Sequence, residues 1–233
     1  MAFFGNKMMV FESILDPNLI LDMKFHNNII DDTGKSTASS YGITFENGVF
    51  SGYANNSVRI DSETDHITIV DSDLFTFADS FSDRPFKIEF DFIPHNLGTG
   101  TGGFYSKFII HKRGLIGSTT ISNSEWQIRT SNSQNEPKLE FFLFDELLGG
   151  IWLFRGSTTL LNGTSYNVSI VYDGVGDVEI IINNSIENIT KEVIGNYSMM
   201  RNTLSKLRIG STSFSPRQYA LYQNLENLKI WKY

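Results

Sequence analysis

Through most of the chain apolar and polar side chains alternate with a period of two, the pattern of β-strands that bury one face. LILDMKF (19–25), GITF (42–45), SVRI (57–60), HITIV (66–70) and FKIEFDFI (86–93) each read as strands. So do KFIIH (107–111), WQIRT (126–130), KLEFFLF (138–144), IWLF (151–154), SYNVSIVYD (165–173), VEIIIN (178–183), KLRIG (206–210) and NLKIWKY (227–233). Turn formers fill the spaces between them, among them DDTGKS, ENG, NLGTGTGG, LNGTS and YDGVGD. No segment presents an apolar helical face over three turns; only TKEVIGNYSMMRN suggests a helical turn, and Gly195 interrupts it. Many short strands joined by turns, with no helices between, predict an all-β fold, an antiparallel sandwich or barrel. No unit recurs along the chain, which argues against a propeller or solenoid.

Composition narrows the function classes. The 233 residues are 40% hydrophobic and include 19 Phe, enough for a packed core. The formal net charge is −7 and no Lys/Arg run occurs, so nucleic acid and anionic lipid are not expected partners. The absence of cysteine removes disulfides, thiolate zinc sites and cysteine nucleophiles together. In MAFFGNKMMVF the apolar run is broken by Asn6 and Lys7, with no small-residue cleavage site, so it does not read as a signal peptide. Nor does any stretch have the length of apolar residues needed to span a bilayer. The chain is therefore expected to be used without export, and its six N-x-S/T sequons carry little meaning.

The order of segments resembles the concanavalin A-like lectin/glucanase superfamily, in its laminin-G-like branch. The resemblance runs from about Asp16 to Tyr233, through LILDMKF…DDTGKS, ITFENGVFSGYANNSVRI and HITIVDSDLFTFADSF. It continues in FKIEFDFIP, NGTSYNVSIVYDG, VEIIINNS and the terminal LENLKIWK. It implies a jelly-roll sandwich over residues 16–233, with the first and last strands side by side. Residues 1–15 would then form a separate apolar arm. Similar stand-alone chains are found in bacteriophage virions, in tails, fibres or capsid decorations. That implies a non-catalytic structural or interaction protein, with other structural proteins as partners and host-surface glycans as possible ligands.

Three functions stay open: a virion interaction protein, a carbohydrate-binding module, and a glycoside hydrolase. Glu89 and Asp91 sit two apart on a strand, roughly 6.6 Å between Cα atoms, within the reach of paired glycosidase carboxylates. Glucanases of the superfamily carry a second Glu further along, where this chain has Ile93 and Pro94. The pair therefore reads as solvent-facing acids on a scaffold strand, and no enzyme is expected. Gly98, Gly100 and Gly103 match a dinucleotide fingerprint in letters only, because a strand follows where a helix is required. His26, His66, His95 and His111 share no metal-ligand spacing, and no serine nucleophile elbow occurs. No cofactor is expected. Asp31 and Asp32, with the acids of DSETD (61–65) and DSD (71–73), are ordinary turn residues that could also give oxygens to calcium. For a glycan, Tyr105, Trp126 and Trp152 are the stacking candidates, with Trp231, Tyr172 and Tyr222 behind them, although a sandwich of this size needs large core residues and the core or interface reading is the favoured one. Phe3, Phe4, Met8, Met9 and Phe11 are the candidates for an assembly contact on the arm, the alternative being a strand folded back on its own sandwich.

Overall fold

The computed structural model describes residues 16–48, 57–62, 64–79, 81–98, 106–113, 123–210 and 221–233. The first strands are β1 (Leu19–Met23), β2 (Ala38–Tyr41), β3 (Thr44–Glu46), β4 (Ser57–Ile60) and β5 (His66–Ile69). After a 3₁₀ turn at Asp73–Phe75 come β6 (Phe86–Pro94), β7 (Phe108–Arg113), β8 (Ser124–Thr130), β9 (Lys138–Asp145) and β10 (Gly150–Thr159). The rest are β11 (Tyr166–Tyr172), β12 (Val178–Ile182), β13 (Ser185–Ile186), β14 (Thr190–Ile194), β15 (Leu207–Gly210) and β16 (Gln223–Lys232). The helical turn suggested within TKEVIGNYSMMRN is instead β14, an exposed edge strand bonded to β10. Its partner strand overrides weak local propensity there.

Two antiparallel sheets result, packed as a jelly-roll sandwich. The front sheet runs β13-β12-β11-β6-β16-β4-β3, with β1 also bonded to β16; the back sheet runs β14-β10-β9-β8-β7-β15-β5-β2. The first and last strands are antiparallel neighbours, as the resemblance implied: Leu21 faces Ile230 and Met23 faces Leu228. Period-two alternation turns Phe86, Ile88, Phe90 and Phe92 inward from β6, against Phe141 and Leu143 of β9 in the same core. The Phe86 and Phe141 rings meet edge to face at 5.8 Å, and Phe77 stacks on Phe86 at 3.9 Å. Each such buried side chain contributes roughly 1.5–3 kcal/mol.

One end of the sandwich is closed by the segment 195–206, which has no regular structure and is held by carboxylates from three other segments. Asp145 accepts the N–H groups of Ser198 and Met199, Asp83 that of Met200, and Glu125 that of Thr203. Glu125 also pairs with Lys112, which is fully buried and lies 3.1 Å from Asp71. Asp83 further accepts the hydroxyls of Tyr172 and Tyr197 at 2.8 and 2.6 Å.

Candidate functional site

The carboxylate pair on β6 comes first. Glu89 and Asp91 share the outer face of the front sheet, as the alternation demands, but each is engaged. Glu89 forms an ion pair with Lys87 at 2.5 Å. Asp91 is buried rather than solvent-facing: its two oxygens accept the side-chain amides of Asn167 and Asn227 at 2.6 and 2.7 Å. Positions 93 and 94 add an apolar side chain and a proline to this strand, not a second acid. The strand is a hydrogen-bonded scaffold.

The aromatic candidates divide. Tyr105 lies outside the described residues, as do Phe3, Phe4, Met8, Met9 and Phe11 of the arm. Trp126 is a core residue and corrects the stacking expectation: it is 0% exposed and its indole N–H donates to the carbonyl of Phe75. Trp152 is partly buried against the core. Tyr197 stacks on its ring at 4.3 Å and the Lys191 ammonium sits 3.7 Å from its centroid. Two groups that close cannot share one face, so neither face of the indole is open to a sugar. Tyr172 is also core, with its hydroxyl on Asp83.

Of the calcium candidates, Glu63 lies outside the described residues, and several of the others carry partners within the chain. Asp31 accepts N–H groups of Asp22, Thr33, Lys35 and Ser36 and the hydroxyls of Thr33 and Ser36. Burial works to raise its pKa, but these donors outweigh it and hold the carboxyl below its ordinary range. Asp32 pairs with Lys24, and Asp65 caps its own turn through Ser62. Among the described residues no group of three metal-ligating side chains converges. A groove of about 220 Å³ between Lys35–Thr37 and Val70–Ser72 is smaller than the usual small-molecule pocket of about 300–1,000 Å³. Of its charged groups, Lys35 donates to the carbonyl of Leu19, and Asp71 lies 3.1 Å from the Lys112 ammonium, whose hydrogen bonds go to Thr76, Glu125 and Thr203.

The outer face of the back sheet is different. The inward residues of β8 and β9 are Trp126, Ile128, Phe141 and Leu143, so Gln127, Arg129, Glu140, Phe142 and Phe144 turn outward. Phe142, Phe144 and Leu153, with Ile151, form a second apolar cluster there, separate from the core. Guanidinium groups lie over it: Arg129 is 4.2 Å from the Phe142 ring centroid and Arg113 is 5.4 Å from that of Phe144. Glu140 bridges two of them, with Arg129 at 2.9 Å and Arg155 at 2.6 Å. Arg113 donates to Gln127 at 3.1 Å. Burial, and then the charge of Arg129, pull the Arg113 pKa down to about 10; burial likewise lowers Arg129 and Arg208. All stay cationic at neutral pH, in positions where water screens them poorly. The face continues across β15 and β5 through Arg208 and Thr68 to the edge strand β2, where exposed Tyr41 stacks on His66 at 6.0 Å. Sequence reading missed this constellation because it looked for Trp and for acids. The signal was there for two of them: Arg129 in WQIRT and Arg208 in KLRIG each occupy the polar position of an alternating strand, whereas Arg155 follows the unbroken apolar run IWLF.

An apolar floor beneath oriented guanidinium groups suits non-covalent recognition. Glu140, its acid between the arginines, is neutralised by two of them. The fold defines the class to which the chain can be compared: antiparallel β-sandwich domains. Among solved structures, the binding domain of Paraclostridial Mosquitocidal Protein 1 superposes with a TM-score of 0.66 at 15% identity, over 92% of this chain and 49% of that one. The botulinum neurotoxin type G receptor-binding domain gives 0.63 at 14% identity, over 92% and 47%. A botulinum neurotoxin type C structure, of a toxin whose cell entry depends upon interaction with two ganglioside molecules, gives 0.65 at 14% identity, over 92% and 47%. The chain thus spans about half the length of these neighbours, and the likeness is one of fold. No family model and no curated protein matches the sequence.

Proposed function

We propose that the chain is a non-catalytic binding module that recognises carbohydrate through the outer face of its back sheet. The observation that carries this reading is the row of arginines above an apolar floor, leading to an exposed tyrosine at the sheet edge. Sugars need both kinds of surface: an apolar face for their C–H groups and fixed donors for their oxygens. The reading is supported by the use of this fold in receptor-binding domains, one of them from a toxin that interacts with gangliosides. It is also supported by the engagement of Glu89 and Asp91 with Lys87 and two asparagines, which leaves no free acid–base pair on that strand. A glycan array probed with the full chain, followed by incubation of the bound sugars, tests both halves. Binding without release of reducing ends is expected. Release of reducing ends that Glu89→Gln abolishes makes the protein a hydrolase instead.

The virion setting comes from the laminin-G-like resemblance and is a second part of the proposal. In it the module displays its glycan-binding face from a tail, fibre or capsid decoration assembled in the host cytoplasm. The arm, residues 1–15, makes the contact with other structural proteins through Phe3, Phe4, Met8, Met9 and Phe11.

A further inference from the structure

Arg208 is the odd member of the back-sheet face. Arg129 and Arg155 share the carboxylate of Glu140, whereas among the described residues no hydrogen bond or ion pair reaches the guanidinium of Arg208. Its guanidinium is nevertheless partly buried, and that burial disfavours its charge. A cation withdrawn from water without a partner is costly, and an arriving carboxylate in bidentate contact offsets that cost. The neighbours of Arg208 are polar or aromatic: Thr68 lies directly across on β5, with Ser39 beyond it on β2. Two residues along the same strands are His66 and Tyr41, whose rings stack at 6.0 Å with 63% of Tyr41 exposed. The Nδ1–H of His66 donates to the carbonyl of Thr64, which fixes the ring. Two strand spacings and two residue rises separate the Cα atoms of Arg208 and Tyr41, roughly 12 Å. That distance suits an oligosaccharide better than a single ring.

We infer that this edge of the back sheet binds an acidic oligosaccharide, its carboxylate on Arg208 and a neighbouring sugar ring against Tyr41; this rests on the carbohydrate-binding reading above. Thr68 and Ser39 supply hydroxyls between the two anchors. A carboxylate fits better than a neutral sugar because the same face already holds one, Glu140, between two guanidinium groups.

Isothermal titration of the full chain with trigalacturonate, its methyl ester, a hyaluronan tetrasaccharide, maltotriose and a fifteen-residue oligothymidylate tests this. The free acid of trigalacturonate should bind more tightly than the ester by about tenfold, and added salt should reduce the difference. Arg208→Gln, which removes no side-chain partner among the described residues, should abolish the preference for the acid while the melting temperature stays unchanged. Tyr41→Ala should weaken acid and ester alike. Equal binding of acid and ester, or a preference that survives Arg208→Gln, overturns the inference and leaves carbohydrate binding standing. So does binding confined to maltotriose. If no sugar binds in this panel or on the wider array, the carbohydrate reading falls with it. Tight oligothymidylate binding that depends on Arg208, with no sugar bound, overturns both and reassigns the face to nucleic acid.

Discussion

Asp145 ends β9 and holds two loops at once. Its Oδ1 accepts the N–H groups of Leu147 and Leu148, and its Oδ2 those of Ser198 and Met199. Burial pushes its pKa up, but the backbone donors, aided by Arg201, outweigh it and leave the carboxyl below its ordinary range. A carboxyl with a depressed folded-state pKa stabilises the protein above its unfolded value, near 4, and that contribution disappears as the pH falls through the folded value. Asp83 and Glu125 act in the opposite sense, because burial leads and raises both. Asp145→Asn should therefore lower stability by about 1–3 kcal/mol at pH 7, and the gap from wild type should close toward pH 3. Thermal melts across that range check this; a gap that is flat with pH would show that the charge of Asp145 is not what holds segment 195–206.

At the scale of elements, β1 shows how the sandwich is anchored at its start. Its five residues are buried, it bonds to β16, and the carbonyl of Leu19 accepts the ammonium of Lys35. Just before it, the carbonyl of Asn18 accepts the N–H of Lys232, and Leu19 donates to Asp16. All of these anchors lie at or after Asp16. Deleting residues 2–15 should leave the melting temperature within a few degrees, since each kcal/mol lost shifts it by roughly 2–4 °C in a domain of this size. The same deletion should weaken association in sedimentation velocity; a domain that unfolds would place the arm in the sandwich. FKIEFDFI was legible because Phe86, Ile88, Phe90 and Phe92 turn to the core at period two. KLEFFLF was legible as a strand but not in its faces, since Phe142 and Phe144 are buried on the outer side as well. The pairing of β1 with β16 was legible only through the resemblance. β14 was not: a single exposed edge strand has no buried face to leave a pattern.

For the whole molecule, the two sheets divide the labour. The outer face of the front sheet ties its acids to Asn167, Asn227 and Lys87, while that of the back sheet places Arg113 and Arg129 over Phe144 and Phe142. The site was hard to read from sequence because its members come from β2, β5, β7, β8, β9, β10 and β15, spread between Ser39 and Arg208. Only the pairing order brings them side by side. Trp126 was misread for the related reason that alternation does not say which of two faces is inside. Chemical-shift perturbation by a sugar selected on the array is the most direct test of the account. The shifts should cluster on the amides of β5, β15, β7, β8 and β9 around Thr68, Arg208, His111, Gln127 and Glu140, with the front sheet unmoved. Shifts concentrated instead around Glu89, Asp91 and Glu226 would contradict it.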